Sequence, residues 1–211
     1  MRELELKAIQ PKSYRPRTTE SRHSLGYSPN LLLDSPPPTE VNQIWVGDIS
    51  YIPLCSGGYL YLALLMDRYS RRIVSWELCD HMTEALVLAV LRQAITQRRP
   101  PAELVHHTDR GGQYAGHAYR QMLARAGMRQ SMSRAGNVYD NAFMESCFGT
   151  IKTELEMNCY ENDLAARTEI GAYIRYYSTR RRHSSLDYQT PEQFETGEGN
   201  RRRKSASKKT S

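Results

Sequence analysis

The hydrophobic and polar positions predict three consecutive strands that begin near residue 43. The segment NQIWVGDISYIPL alternates, and it places Ile44, Val46 and Asp48 on one face, with a charged residue where an apolar one belongs. The segment YLYLALLM is a continuous apolar run, which is typical of a central strand buried on both faces. After the tight polar turn DRYSRR, RIVSWELC predicts a third strand. Because the turns are short, the three strands are expected to form an antiparallel meander.

The period then changes to that of a helix. MTEALVLAVLRQAITQRR predicts a helix with Thr83 as N-cap and one apolar face, made of Leu86, Val87, Val90, Leu91, Ala94 and Ile95. AELVHHTD predicts a fourth strand, YAGHAYRQMLARAG a second helix closed by Gly127, and MRQSMS a fifth strand. DNAFMESCFGTIKTELEM predicts a third helix, whose apolar positions are Met144, Cys147, Phe148, Ile151 and Leu155, and a further helix is expected over 163–178. This order predicts an α/β fold, a mixed five-stranded sheet flanked by helices.

Composition divides the chain into three parts. Residues 1–42 are polar, basic and rich in prolines, which predicts an N-terminal segment and linker. Residues 43–196 form the predicted core with its C-terminal helix, and residues 197–211 form a basic disordered tail. The tail could be a solvated end or a contact to nucleic acid.

Charge and cysteine content narrow the class of protein. The chain has 211 residues with 29 Lys+Arg against 23 Asp+Glu, a surplus that fits a polyanion such as nucleic acid but also a basic protein with no such partner. The longest apolar run is eight residues, so no membrane segment is expected, and the N-terminus has no signal-peptide core. The four cysteines, Cys55, Cys79, Cys147 and Cys159, have no C-x-x-C spacing, which predicts free thiols in a reducing cytoplasm.

Three carboxylates stand out from the pattern. Asp48 lies within a strand, Asp109 at the end of the fourth strand before a glycine-rich turn, and Glu145 in the third helix. Singly, Asp48 could pair with an arginine, Asp109 could cap the turn and Glu145 could be a surface residue. Together they could converge on one side of the sheet, where their repulsion would be relieved by a divalent cation. Oxygen ligands of this kind suit Mg²⁺ or Mn²⁺, and two such ions can activate a nucleophile and stabilise the leaving oxygen of a phosphodiester.

Other chemistries find no support. The sequence contains no H-E-x-x-H, G-x-S-x-G, Walker or G-x-G-x-x-G motif. His106 and His107 adjoin Asp109, but the spacing offers no partners for a zinc site, so they are expected to shape the site rather than bind metal.

Five ordered segments carry a resemblance to a known family. WVGDISYI, GYLYLALLMDRYSRRIVSWEL, HHTDRGGQYAG, SMSRAGNVYDNAFMESCFGTIKTE and YYSTRRRHSSLDYQTPEQFE are similar to segments of the OrfB-type transposases of bacterial insertion sequences, within the retroviral integrase superfamily. Thirty-five residues separate Asp109 from Glu145, the spacing of that family's D-D-E triad. The resemblance covers residues 10–196. It implies a ribonuclease-H-like fold and a catalytic triad of Asp48, Asp109 and Glu145.

The resemblance also implies an activity and partners. The enzyme would be a polynucleotidyl transferase that uses Mg²⁺ or Mn²⁺, as two ions, to cleave transposon ends and join them to target DNA. Its partners would be DNA, the transposase product of an upstream reading frame and further copies of itself on DNA. Its location would be the cytoplasm, with the nucleoid when bound to DNA.

Several residues are candidate DNA contacts. Lys152 follows Glu145 by two helical turns, where the family has a basic residue, although it could be a solvated helix lysine. The loop 133–142 offers Arg134, Asn137, Tyr139 and Asn141, and its Asp140 could cap the following helix. Arg110 precedes the glycine pair 111–112, which leaves room for a close approach to the metal site. The cluster Arg181, Arg182 and His183 lies beside tyrosines and suits a phosphate backbone, although the tyrosines could pack a helix while the arginines face water.

The chain departs from the family at three places. Gly47 stands where a threonine is usual, and Asp187 where a glycine is common. The chain begins inside the family pattern, which raises two alternatives to an active transposase: a truncated, inactive DNA-binding remnant, or a host nuclease of the same fold.

Overall fold

The computed structural model describes residues 25–33, 35–135, 138–156 and 159–197. Its five strands are β1 (Ile44–Pro53), β2 (Tyr59–Asp67), β3 (Ile73–Cys79), β4 (Val105–Thr108) and β5 (Arg129–Met132). Its helices are α1 (Glu84–Arg98), α2 (Gly112–Ala115), α3 (His117–Arg125), α4 (Ala142–Glu154) and α5 (Asp163–Thr179). A last helical segment covers 191–197.

The strands form one mixed sheet in the order β3-β2-β1-β4-β5. The first three are antiparallel neighbours, as the short turns predicted. β4 pairs parallel with β1, and β5 pairs parallel with β4, because helical connections return the chain to the same end of the sheet. The predicted fold class is therefore confirmed.

Helices cover both faces of the sheet and bury two separate cores. One core joins β1 and β2 to α4 and α5 through side chains such as Val46, Leu64 and Phe148. The other joins the same strands to α1, α2 and α3 through Trp45, Leu65 and their neighbours. Since successive strand residues point to opposite faces, Asp48 shares the α4 and α5 face with Ile44 and Val46, as the alternation predicted.

Gly47 marks a close approach inside the sheet. A Cβ at this position would lie 2.7 Å from Cδ2 of Leu65 and 3.2 Å from Cε1 of His106. Leu65 and His106 are both buried, so the space of a side chain is already filled. This packing accounts for glycine at the position directly before Asp48.

One detail of the helices is confirmed in position only, and another differs from the prediction. Thr83 occupies the N-cap position of α1, but its side chain makes no capping hydrogen bond. The single helix predicted from YAGHAYRQMLARAG is broken at Gly116, which has an extended backbone. The carboxylate of Glu84 occupies the space beside Gly116 and accepts a hydrogen bond from the Tyr119 N–H at 3.1 Å, so α1 supplies the cap of α3. Gly127 ends α3 with a positive φ of 65°, as predicted.

The prediction of four free thiols is wrong for Cys55 and Cys159, which form a disulfide. The residues before and after them are brought together by a parallel bridge between Leu54 and Tyr160, with Cys55 N–H donating to the Tyr160 carbonyl at 2.8 Å. The cysteines are 104 residues apart, so no local spacing could reveal the pair. Cys79 and Cys147 are free.

The predicted boundaries at 42 and 196 stay predictions, because most of the segments 1–42 and 197–211 lies outside the described residues. Among the described residues, no helix has the length and apolar character needed to cross a membrane.

Candidate active site

Two of the three candidate carboxylates lie at the same level of adjacent strands. β1 and β4 run parallel with Val46 opposite His107, and two further residues along each strand lead to Asp48 and Asp109. Because β4 ends at Thr108, Asp109 is the first residue of the turn that follows it. Strand pairing alone therefore brings the two side chains to the same level of the sheet, at the C-terminal end of β4.

Asp48 is held by two hydrogen bonds. Its Oδ1 accepts from its neighbour's N–H, that of Ile49, at 2.8 Å, and its Oδ2 accepts from Nδ2 of Asn141 at 2.9 Å. Its pKa is raised well above the usual range, first by burial and then by the charge of Asp109, with a smaller contribution from Glu145. The two hydrogen bonds oppose this rise without cancelling it. The site therefore disfavours the negative charge on Asp48 unless a positive charge is present.

Asp109 is oriented by the turn that follows β4. Its Oδ1 accepts from the Gly111 N–H at 2.9 Å. A Cβ at Gly111 would lie 3.0 Å from the same oxygen, so the small residue keeps the approach to the carboxylate open. Behind it lies Tyr114, whose pKa is raised well above its usual range by burial and by the charges of Asp48 and Asp109.

Glu145 lies in the first turn of α4 and is exposed. It is near enough to raise the pKa of Asp48, so it belongs to the same electrostatic environment. Across the described part of the chain, however, no three His, Cys, Asp or Glu side chains come close enough together to hold a metal ion. The structure thus joins Asp48 and Asp109 and leaves Glu145 beside them.

The chemistry of these donors fits a divalent cation. The pair offers carboxylate oxygens only, which is the ligand set that Mg²⁺ and Mn²⁺ prefer. A cation between them would remove the repulsion that raises the pKa of Asp48. Asn141 donates to Asp48 and the Gly111 N–H donates to Asp109, and both hydrogen bonds help to orient the carboxylates.

The two histidines before Asp109 are structural. His106 is buried, and its Nε2 lies 2.6 Å from the hydroxyl of Tyr119, while burial lowers its pKa to about 3. His107 has its pKa lowered to about 4 by burial and is neutral at pH 7. The Nε2 of His107 donates to the Asp140 carbonyl at 3.1 Å, so its Nδ1 accepts from the Ser131 hydroxyl at 2.8 Å. His107 therefore ties β4 to β5 and to the turn before α4.

Asp140 does not cap α4, which was one of the roles that the sequence left open for it. Its carboxylate accepts from the backbone N–H of Arg134 at 2.8 Å, from the Arg134 side chain at 3.1 Å and from Asn30 Nδ2 at 2.8 Å. Arg134 lowers the pKa of this carboxyl to about 2. Asn141 stands at the N-cap instead, and its amide serves Asp48 rather than the helix.

The predicted DNA contacts fall into two groups. Some are engaged within the protein: Nε of Arg110 donates to the Ser133 carbonyl at 2.7 Å, Arg134 pairs with Asp140, and Arg181 pairs with Glu154 at 2.8 Å. Lys152 lies 4.1 Å from the ring centroid of Tyr51. Arg182 is exposed, and His183 is half-buried. Asn137 and the side chain of Tyr139 lie outside the described residues, so their roles stay predictions.

Sequence reasoning missed a second basic group beside α4. The guanidinium carbons of Arg68 and Arg71 lie 4.6 Å and 4.3 Å from the ring centroid of Phe143. Both arginines come from the turn between β2 and β3, whose polar character indicated only a turn. Their grouping depends on tertiary structure, because the β2–β3 turn and α4 are adjacent only in the folded chain.

Family models and relatives agree on the class of protein. Two models described as integrase core domain match residues 38–138 and 126–191. The chain is 42% identical over 195 residues to the 31 kDa protein of insertion element IS600 from Shigella sonnei, covering 92% of this chain and 71% of that protein. It is 43% identical over 169 residues to the transposase of insertion element IS904 from Lactococcus lactis, covering 79% of this chain and 66% of that protein.

Solved structures agree on the fold. The intasome of simian T-cell lymphotropic virus in complex with PP2A regulatory subunit B56 gamma matches with a TM-score of 0.67 at 18% identity, covering 85% of this chain and 61% of that chain. The integrase catalytic core domain of HTLV-2 in complex with magnesium matches with a TM-score of 0.60 at 18% identity, covering 74% of this chain and 98% of that chain. The architecture is thus the ribonuclease-H-like fold of integrase cores, and the chain belongs to the integrase-core family of insertion-sequence transposases.

Proposed function

We propose that this chain carries the catalytic core of a transposase, which cleaves DNA at the ends of a mobile element and joins the freed 3′-hydroxyl to target DNA. The observation that carries the proposal is that Asp48, within β1, and Asp109, directly after the end of the adjacent strand β4, lie at the same level of the sheet, where burial and the charge of Asp109 raise the pKa of Asp48. Membership of the integrase-core family supports it. The chain spans 71% and 66% of the two relatives' lengths, so the proposal concerns the core only.

The proposed cofactor is Mg²⁺ or Mn²⁺, as two ions held by Asp48, Asp109 and Glu145. The HTLV-2 integrase core is known in complex with magnesium, and the carboxylate oxygens of this chain suit the same class of cation. Bound ions would supply Lewis-acid activation of the attacking oxygen and charge stabilisation at the leaving oxygen. This chain's residues would orient that site: Asn141 holds Asp48 from one side, and the Gly111 N–H holds Asp109 from another.

Glu145 would join the other two carboxylates when the cation and DNA bind. Two features of α4 support this step. Its N-cap side chain makes no capping hydrogen bond, and Glu145 already contributes to the electrostatics of Asp48 from an exposed position. A small movement of the first turn of α4 would therefore bring in a third ligand without unmaking a cap.

The remaining roles are proposed around that centre. Lys152 stands on the same helix as Glu145 and would contact a phosphate near the scissile bond. The path of the DNA would be lined by the loop residues Arg134, Asn137, Tyr139 and Asn141 and by the segment Arg181, Arg182 and His183, with Arg110 at its edge.

The partners would include an upstream-frame transposase product and further copies of this chain on DNA, and the location would be the nucleoid. Assembly of copies is supported by the neighbour described as an intasome.

The test is cleavage and joining of DNA that carries the element's terminal repeats. The parent chain with Mg²⁺ is expected to nick the repeat ends and to give strand-transfer products, and EDTA should abolish both. Asp109→Asn should retain DNA affinity but lose both products by more than about a hundredfold, the order of magnitude of losing a charged group that stabilises the transition state. Asp163→Asn, at the start of α5, is the matched control and should cleave like the parent.

Two results would count against the proposal. If Asp109→Asn cleaves as well as the parent, the carboxylate pair is not the catalytic centre. If the parent binds repeat DNA but never cleaves it with Mg²⁺ or Mn²⁺, the chain acts as a DNA-binding remnant.

A further inference from the structure

A basic cavity of about 450 Å³ lies beside α4, and its lining does not include Asp48 or Asp109. Helix α4, helix α5, the β2–β3 turn and the segment after α5 enclose it. Its lining includes three arginines and one histidine, namely Arg71, Arg181, Arg182 and His183, together with hydroxyls such as those of Ser146 and Ser184. No aspartate or glutamate is among the described residues that line it. Arg181 pairs with Glu154 outside the lining, so the positive charge of the cavity is only partly compensated.

Arg71 is the cavity arginine that stacks on an aromatic ring of α4. It is half-buried, and its guanidinium rests 4.3 Å from the ring centroid of Phe143. No carboxylate of the described residues lies within ion-pair distance of it, whereas Arg181 is already paired with Glu154 at 2.8 Å. Burial lowers the pKa of Arg71, a cost that an anion in the cavity would offset. Arg71 is therefore positioned for a ligand rather than for an internal salt bridge.

His183 contributes a hydrogen-bond donor that the protein does not use. Its ring packs against Tyr177 with centroids 4.8 Å apart, and its Nδ1 lies 3.5 Å from Nη1 of Arg181. A guanidinium can only donate, so Nδ1 accepts and the proton lies on Nε2. That Nε2 is buried and has no hydrogen-bond partner in the described structure. An unsatisfied buried donor is destabilising, and an acceptor oxygen that reached Nε2 would remove that penalty.

We propose that this cavity binds a phosphate group of the DNA backbone, next to the site of cleavage. The inference rests on the proposed function and extends it. Phosphate oxygens accept from guanidinium, imidazole and hydroxyl donors, and this is the donor set that the cavity presents. Ser146 directly follows Glu145 on α4, so one helix carries a side chain of each site. A strand that enters the acidic site would thus be held by a second phosphate, which fixes its register.

The first experiment measures the salt dependence of DNA affinity. The parent and variants bind a fluorescein-labelled 30-base-pair duplex in EDTA at several KCl concentrations, followed by anisotropy. The double variant Arg71→Gln with Arg182→Gln should reduce the slope of log affinity against log salt by about 1, since each phosphate contact contributes about 0.9. The control pair is Arg92→Gln with Arg125→Gln, which removes the same charge from exposed positions on α1 and α3. The control should leave the slope unchanged.

The second experiment separates the cavity from DNA binding in general. Inorganic phosphate is titrated into the parent chain while the Arg71 Nε–H signal is followed by NMR. A saturable shift that His183→Ala weakens at least fivefold supports the site, and His183→Gln, which retains a side-chain N–H donor, should restore part of the affinity. Amide spectra of each variant verify that it is folded.

The outcomes are distinct. If Arg71 shows no saturable shift, or if the control pair lowers the slope as much as the cavity pair, the cavity is not a phosphate site. If the parent binds no DNA but Arg71 responds to inorganic phosphate, DNA is rejected as the source of the phosphate and the proposed function fails with it. If the parent binds DNA with an unchanged slope in the cavity variant, the cavity inference alone fails.

Discussion

At the scale of single residues, the orientation of Asp48 depends on Asn141. The amide of Asn141 donates to Oδ2 of Asp48 at 2.9 Å and spans 93 residues of sequence to do so. Asn141 is itself buried, so its amide is held in place by packing. A residue that was a candidate DNA contact is therefore in direct contact with Asp48.

Replacing Asn141 should chiefly weaken the affinity of the site for Mg²⁺. Asn141→Ala removes one of the two hydrogen bonds of Asp48, and losing such a partner typically costs about 10–100-fold in metal affinity. We expect the Mg²⁺ concentration for half-maximal cleavage to rise by about tenfold or more. Asn162→Ala is the control, because Asn162 caps α5 by accepting from the Ala165 N–H and should alter stability without altering the Mg²⁺ requirement. Equal Mg²⁺ curves for Asn141→Ala and the parent would show that the amide does not support the site.

At the scale of elements, the glycines of strand β1 and helix α4 have opposite surroundings. Gly47 in β1 faces filled space, whereas a Cβ at Gly149 in α4 would meet nothing within 4 Å. The tight packing at Gly47 is what lets β1 lie close to Leu65 of β2 and His106 of β4, and so sets the position of the next residue, Asp48. Gly149 has no such constraint.

Two alanine substitutions should therefore move stability in opposite directions. Gly47→Ala forces buried neighbours apart and should lower the free energy of unfolding by about 1–3 kcal/mol. Gly149→Ala adds a helix-favouring residue at an open position and should raise it by about 0.5–1 kcal/mol. Urea denaturation of both variants measures the two effects. A stabilising Gly47→Ala would contradict the packing account of this position.

Elements also show how far the sequence predicted the structure. The strands and helices followed from apolar periodicity. The buried positions 44 and 46 in β1 repeat with the period of a strand, and the buried positions 144, 148 and 151 in α4 repeat with the period of a helix. What failed was set by contacts between distant elements. The break at Gly116 depends on Glu84, the role of Asp140 depends on Arg134 and Asn30, and the disulfide joins cysteines 104 residues apart. In the candidate site, strand pairing explains why Asp48 and Asp109 lie at the same level of the sheet. The cavity at Arg71, in contrast, depends on tertiary packing.

At the scale of the whole molecule, Glu195 ties the C-terminal helical segment to the sheet. Its carboxylate accepts from Arg98 at 2.8 Å, from Arg72 at 2.9 Å and from the Ser70 hydroxyl at 2.7 Å. The side chain of Glu195 is only 11% exposed. Burial alone would raise its pKa, but Arg98, Ser70 and Arg72 outweigh that effect and lower it. One carboxylate thus connects 191–197, the β2–β3 turn and α1.

Removing the charge of Glu195 should lower the free energy of unfolding, and the size of this decrease should depend on pH. Glu195→Gln is expected to lower the free energy of unfolding by about 2–3 kcal/mol at pH 7, because two arginines lose a largely buried partner. A lowered pKa means that the carboxylate stabilises the fold above its ordinary value of about 4.3, and that this contribution is lost as the pH falls through the lower folded value. The difference between parent and variant should therefore shrink below about pH 4.

Glu192→Gln is the matched control for this prediction. Glu192 lies on the same helical segment but is 48% exposed and 3.8 Å from Arg72, so its loss should cost less than about 0.5 kcal/mol. Urea denaturation across a pH series measures both variants. A pH-independent difference for Glu195→Gln would contradict the assignment of the effect to charge.

The central claim is that side chains from β1, the β4 turn and α4 share one divalent-cation site. The most direct test replaces Mg²⁺ with Fe²⁺ and lets ascorbate and peroxide cut the polypeptide near the bound iron, with the cut positions located by mass spectrometry. We predict cuts close to residues 48, 109 and 145, all suppressed by excess Mg²⁺ and all lost together in Asp109→Asn. Cuts at only one of these positions, or a pattern unchanged in Asp109→Asn, would contradict a shared site.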